Sequence, residues 1–218
     1  MKAKTLIFIF LSLVLSVWAE QKVVAIDVHG TGSGLNNQRT IVRDSDGILY
    51  CVYSGNDGTN YQIYIAMSDD NGTTWISDWR QLTFDTTDNY QPALAINSHD
   101  ILHVIWRGNI GSSSYADLLY AKSPAYTVET LSSATGYPGA FCPSLAVGPE
   151  DDLHVVWTGS PSGWIVRYKR FNLASGTWGT VEEVGSMTPS RWPSVEADTD
   201  GNPHVVYRNN FGSPINYR

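Results

Sequence analysis

Residues 92–108 read PALAINSHDILHVIWRG. An apolar-alternating run (92–96) meets a polar turn (97–100), and a second apolar run (101–106) ends in an aromatic, which is the pattern of a strand, a tight turn and a strand. The same seventeen-residue pattern recurs at 39–55 (RTIVRDSDGILYCVYSG), 143–159 (PSLAVGPEDDLHVVWTG) and 193–209 (PSVEADTDGNPHVVYRN). Four copies about fifty residues apart predict a repeat architecture, in which each unit buries its apolar faces against its neighbours.

Each copy is followed by a third apolar run, at 62–68 (QIYIAMS), 118–123 (LLYAKS), 164–171 (WIVRYKRF) and 215–218 (INYR). A less regular fourth run follows in three of them, at 80–84, 127–131 and 180–184. Four short antiparallel strands per unit, with no helical period competing, predict an all-β chain: a β-propeller of four-stranded blades, about four of them visible. The fourth copy ends after its third strand. The run at 22–28 (KVVAIDV) is able to supply the missing strand and close a four-bladed ring, whereas the preferred expectation is a fragment of a six- or seven-bladed ring.

Residues 1–19 read as a secretory signal peptide, with Lys2 and Lys4 at the start, an apolar stretch over 6–15 and Val17-Trp18-Ala19 as a small-residue cleavage site. The expected organisation is therefore a signal peptide at 1–19 and a propeller domain at 20–218, secreted, periplasmic or at the cell surface. No second apolar segment is long enough for a stable membrane span. Without Lys2 and Lys4 the formal charge moves from −7 to −9, and no basic face is in view, so nucleic acid is not an expected partner. The two cysteines hold unrelated repeat positions. Cys51 aligns with Val104 and Val155 in mid-strand, and Cys142 precedes the third copy, so they are expected to remain apart. No cofactor motif is present and the spacing offers no metal cluster.

Between the third and fourth runs of the first copy stands Ser68-Asp69-Asp70-Asn71-Gly72-Thr73-Thr74-Trp75. It fits S-x-D-x-G-x-T-W and resembles the Asp box, or BNR repeat, of the sialidase superfamily of β-propellers. The chemistry of such a hairpin assigns Ser68, Asp70, Gly72, Thr74 and Trp75 structural roles: the carboxylate accepts turn amides, the glycine takes positive φ and the tryptophan anchors the turn. Asn71-Gly72-Thr73 also matches a glycosylation acceptor, which the turn chemistry explains without a glycan. The resemblance covers most of 39–218, although later copies keep only traces of the box, such as Gly176-Thr177-Trp178.

His103, His154 and His204 share one repeat position, occupied by Tyr50 in the first copy, and are read as hydrogen-bonding residues of the blade rather than as metal ligands. The turns 44–47 and 198–201, which carry two aspartates each, are read as plain β-turns. Departures from the repeat point to function. Arg107 and Arg208 stand where Ser54 and Thr158 stand in the other copies, Glu196 replaces Ala95 and Ala146, and Arg191-Trp192 precedes Pro193. These five residues are the candidate ligand site, gathered at one mouth of the ring and suited to a polar ligand such as a sugar.

The resemblance implies a possible glycosidase, since sialidases use three arginines, a tyrosine–glutamate pair and an aspartate acid/base. Arg39 lies two residues out of register with the family's first arginine, Arg191-Trp192-Pro193 has its R-x-P spacing but in the fourth copy, and the tyrosine and its glutamate have no counterpart. Catalytic residues are therefore unassigned. The leading expectation is an exported propeller module that recognises a glycan or surface polymer. The alternatives are a sialidase-like exo-glycoside hydrolase in partial form and a structural or protein-interaction repeat of the cell envelope.

Overall fold

A computed structural model describes residues 21–30, 39–109, 116–132, 139–159, 164–184, 190–209 and 215–218. The expected signal peptide lies outside them. No helix occurs among the described residues, and so none long and apolar enough to cross a membrane.

The chain forms four successive antiparallel sheets. The first blade holds β1 (Ile41–Arg43), β2 (Leu49–Asn56), β3 (Tyr61–Ser68) and β4 (Ile76–Gln81), in that spatial order. The second holds β5 (Tyr90–Ile96), β6 (Leu102–Gly108), β7 (Asp117–Lys122) and β8 (Glu129–Ser132). In the third, β9 (Phe141–Val147), β10 (Leu153–Gly159) and β11 (Ile165–Asn172) are followed by a broken outer strand, β12 (Thr177–Trp178) and β13 (Glu182–Glu183), both halves pairing with β11. The fourth has β14 (Ser190–Ala197), β15 (Pro203–Asn209) and β16 (Ile215–Tyr217). The outer strands differ from the sequence reading: β4 begins four residues before the run at 80–84, and the third blade's outer strand is split into β13, inside the run at 180–184, and β12, before it, because outer strands bury few side chains and carry a weak apolar signal.

The core lies between blades. Val52, Ile63 and Ile65 of the first blade meet Leu94, Val104 and Trp106 of the second. Ala93, Ala95 and Ile105 of the second meet Leu145, Val155 and Trp157 of the third, and Val156, Val166 and Tyr168 of the third meet Val195 and Val205 of the fourth. Neighbouring strand positions of the second and third blades thus face opposite blades, so these two sheets are apolar on both faces. Among the described residues the sheets are not closed into a ring.

Two local devices recur. In every inner hairpin the first turn residue accepts from the N–H of the fourth (Asp44/Gly47, Asn97/Asp100, Gly148/Asp151, Asp198/Gly201), and the fourth has positive φ. At the opposite end, Gln91, Cys142 and Trp192 have φ of 55°, 50° and 51°, and the pairing of β5, β9 and β14 slips there. Each is followed by a proline, which lacks an N–H to donate and is tolerated at this irregular start of an inner edge strand. We call this end, where inner strands start and second strands finish, the mouth.

The run at 22–28 does not complete the fourth blade. Val28 forms a bridge with Gly55, the His29 N–H donates to the Ser54 carbonyl (3.0 Å) and the Asn56 N–H to the Asp27 carbonyl (3.1 Å). The reason lies in unequal strand lengths: β1 pairs only with 49–51, so β2 outruns it, and residues 27–29 satisfy backbone groups left over.

Candidate functional site

The mouth is built from bulges. A residue at positive φ re-aims the side chains around it, and here it sets Tyr90, Phe141 and Arg191, each one residue before the bulge, opposite Arg107, Thr158 and Arg208 on the second strands. Three arginines and several aromatic rings consequently share one rim.

They interleave. The Arg107 guanidinium lies 5.4 Å from the Phe141 ring centroid, and Phe141 meets Trp164 edge-to-face at 5.6 Å. Arg191 lies 3.7 Å from the Trp164 ring and 6.0 Å from Trp192, and Arg208 lies 5.5 Å from Trp192. The result is a continuous band, Arg107–Phe141–Trp164–Arg191–Trp192–Arg208, across the second, third and fourth blades. Each cation–ring contact contributes about 0.5–1 kcal/mol where water reaches it, and more where it does not. Burial pushes the Cys142 thiol up to about 12, against the pull of Arg107 and Arg191, so two arginines from different blades act on one thiol. Cys142 is buried, Cys51 is half-buried, and the two are not joined in a disulfide.

Beyond Arg107 the rim continues into aromatic residues of the first two blades. His29 sits 4.7 Å from both Tyr61 and Tyr90. Burial, then Asp88, pushes the Tyr90 phenol up to about 12. A cleft of about 340 Å3 opens here, its lining including Asp88, Tyr90, Arg107 and Asn109. Its inter-blade wall, 85–89, is held by the fully buried Asn89: the Asn89 Oδ1 accepts from Trp106 Nε1 (2.9 Å), its Nδ2 donates to Asp85 (3.1 Å), and its carbonyl accepts from the Ser54 hydroxyl (2.6 Å). Gly108 permits this, since a Cβ there would lie 2.2 Å from Asn89 Oδ1.

Four of the five candidate residues, Arg107, Arg191, Trp192 and Arg208, thus come together. Glu196 does not join them. It lies four residues beyond Trp192 along β14, roughly 13 Å deeper at the usual strand rise, paired in register with His204, and its carboxylate accepts from Arg39 at 2.9 Å. This is the correction for Glu196: strand direction carries it down the inner face, toward the first blade. Phe141, Trp164 and Asn109 were missed by sequence reasoning; for Phe141 the bulge before the inner strand, marked by the Cys142-Pro143 step, was the available signal.

The hairpin at 68–75 is a closed hydrogen-bonded unit. Asp70 accepts from the Thr74 N–H (2.8 Å), the Thr74 hydroxyl (2.6 Å) and the Ser68 hydroxyl (2.8 Å), while Ser68 Oγ accepts from the Gly72 N–H (2.9 Å). The Thr74 bonds lead in holding the Asp70 carboxyl at about 2. Gly72 has φ of 85°, and Trp75 is half-buried beside it. It lies at the end of the first blade away from the mouth. The repeat histidines each bond a tyrosine hydroxyl of the adjacent strand: His103 to Tyr120 (2.8 Å), His154 to Tyr168 (2.8 Å) and His204 to Tyr217 (2.5 Å). In the first blade Tyr50 donates to Asp44 (3.1 Å) instead.

The sequence matches no family model, and no curated protein matches it. Solved structures do. A Penicillium chrysogenum α-L-arabinanase complexed with arabinobiose superposes with a TM-score of 0.58 at 13% identity, covering 85% of this chain and 62% of that one. A Dyadobacter fermentans protein of unknown function gives 0.57 at 15%, covering 83% and 51%, and an endo-arabinase from Bacteroides thetaiotaomicron gives 0.53 at 12%, covering 81% and 72%. The chain spans about half the length of the Dyadobacter protein and about six-tenths of the Penicillium one. At such identities the likeness is one of fold, and together with the four antiparallel sheets it makes this chain a β-propeller.

Proposed function

We propose that this chain is an exported Asp-box β-propeller module, of the sialidase superfamily, that binds an acidic glycan across its mouth without cleaving it. The observation that carries the reading is the band from Arg107 to Arg208. Guanidinium groups bind carboxylates in a bidentate fork, and the faces of Trp164 and Trp192 suit the apolar faces of sugar rings. Spacing by aromatic rings keeps the cations on one rim, and repeats suit a polymer better than a single small molecule. The self-satisfied hairpin at 68–75 supports the Asp-box assignment. Propellers named as arabinanases are enzymes of carbohydrate chains, which supports the ligand class. The reading without cleavage is supported by the state of Glu196, whose carboxylate on the inner strand of the fourth blade is paired with Arg39 at 2.9 Å.

The test is binding of polygalacturonate, set against neutral arabinan, by affinity electrophoresis, with reducing-sugar release measured in parallel. Retardation by the acidic polymer only, a tenfold or greater loss with Arg191→Ala, and no sugar release are expected. Equal retardation by arabinan removes the acidic-glycan reading, and sugar release replaces the binder with a hydrolase or lyase.

A further inference from the structure

The cleft between the first and second blades is unlike the open band beside it. Its lining brings together a cation (Arg107), a carboxylate (Asp88), two amides (Asn60 and Asn109) and a phenol (Tyr90), in about 340 Å3, the small end of the range for small-molecule pockets. The Asn109 Oδ1 is buried with no hydrogen-bond partner, although buried polar atoms are as a rule bonded. An acceptor kept in this state at the wall of a polar cleft is matched by a ligand that brings a donor. The Asn109 backbone is meanwhile fixed, its carbonyl oxygen 2.8 Å from Thr87 Oγ1.

Asp88 is oriented as well. It accepts from the Tyr61 N–H at 2.9 Å, and its charge acts on the Tyr90 phenol. A carboxylate in this setting has lone pairs left for hydroxyl donors, since two oxygens offer about four acceptor sites. Arg107 belongs to both the cleft and the band, so a carboxylate it holds would lie where the two meet.

We infer that this cleft is a subsite for one acidic sugar residue of the uronic acid class, whose carboxylate pairs with Arg107 while its hydroxyls donate to Asn109 Oδ1 and Asp88. The inference rests on the acidic-glycan reading and adds to it a position: one residue of the polymer is seated between the first two blades while the rest follows the band toward Arg208. The cleft, not the band, then sets selectivity between an acidic residue and its neutral counterpart, because unpaired buried polar groups penalise a ligand that lacks the matching group.

The experiment uses the intact chain, with D-galacturonate titrated by calorimetry, D-galactose as the neutral control, and polygalacturonate retardation as a separate readout. Asn109→Ala removes no protein hydrogen bond of the Oδ1 atom, and thermal melting checks that the variant folds. The expected result is millimolar binding of galacturonate, at least tenfold weaker binding of galactose, and a tenfold or greater loss with Asn109→Ala, whereas Arg208→Ala leaves the monosaccharide affinity within twofold and weakens only the polymer. If polygalacturonate is retarded through the band but galacturonate neither binds nor competes, or binds Asn109→Ala equally well, the subsite is overturned and the band reading stands. If the wild-type chain binds neither monosaccharide nor polymer, the acidic-glycan reading falls and the subsite with it.

Discussion

Ser98 in the inner turn of the second blade gives both its backbone N–H (2.8 Å) and its hydroxyl (2.7 Å) to the carboxylate of Asp151, fifty-three residues on in the matching turn of the third blade. Ser45 makes the same pair of contacts with Asp100, one blade earlier. The second residue of one turn thus clasps the fourth residue of the next. Asp151 is buried and stands at φ of 60°, a conformation that costs an ordinary side chain about 1 kcal/mol. Asp151→Ala keeps that strain and loses the bonds, so it should destabilise by about 1–3 kcal/mol. Asp151→Gly loses the bonds but relieves the strain, and should be the milder change in urea unfolding. The reverse order would show that the clasp does not set the cost.

The same turn carries a pH dependence. Burial opposes ionisation of Asp151, but the Ser98 N–H and hydroxyl, then His99, outweigh it and hold the carboxyl below the ordinary range. A carboxyl with a lowered folded-state pKa adds stability above its unfolded value near 4, and that stability is lost as pH falls through the folded value. Between pH 5 and 3, Asp151→Asn should therefore lose less stability than the wild type.

His103 has the opposite linkage. Burial foremost lowers its pKa from 6.5 to about 4, so the folded blade holds it neutral while the unfolded chain takes up a proton. A histidine lowered in this way costs stability progressively as pH falls from about 6.5 to about 4 and no further below. The full loss is roughly 3 kcal/mol. His103→Gln should flatten that part of the stability curve, and an unchanged slope between pH 7 and 4.5 would place the dependence elsewhere.

Arg39 and Glu196 join the inner faces of the first and fourth blades at 2.9 Å, with side chains 53% and 61% exposed. A pair so open to water is worth about 0–1 kcal/mol. Glu196→Ala should accordingly shift the melting temperature by no more than a few degrees and leave retardation by polygalacturonate unchanged. A large loss of polymer affinity would bring the axis into the binding site.

Gly72 and Gly108 separate two reasons for glycine. At Gly72 a Cβ would meet Leu49 at an ordinary 3.5 Å, so Gly72→Ala should cost only the positive-φ penalty, about 1 kcal/mol. At Gly108 it would run into Asn89, and Gly108→Ala should unfold the second blade or displace the wall of the cleft, a loss well above that of Gly72→Ala in the same denaturant series.

How much of this was legible follows from the range of the forces involved. Blade repeats, inner strands and turns were readable at 39, 92, 143 and 193 because apolar alternation and turn chemistry act over neighbours in the chain. The outer strands were readable only roughly, since β4 and the broken pair β12 and β13 bury little. Arg107, Arg191, Trp192 and Arg208 stood out as departures from the repeat. Glu196 stood out equally and went elsewhere, because its partner, Arg39, is 157 residues away.

By itself, then, the sequence determined the all-β repeat, the blade spacing and the residues that depart from the repeat, since each depends on local period and local turns. Only the tertiary structure decided that residues 27–29 satisfy β2 rather than the fourth blade, that Phe141 and Trp164 fall between the arginines, and that Asn109, with its Oδ1 buried, lines one cleft with Asp88. Those outcomes depend on how consecutive sheets pack face to face, which no stretch of the chain encodes alone.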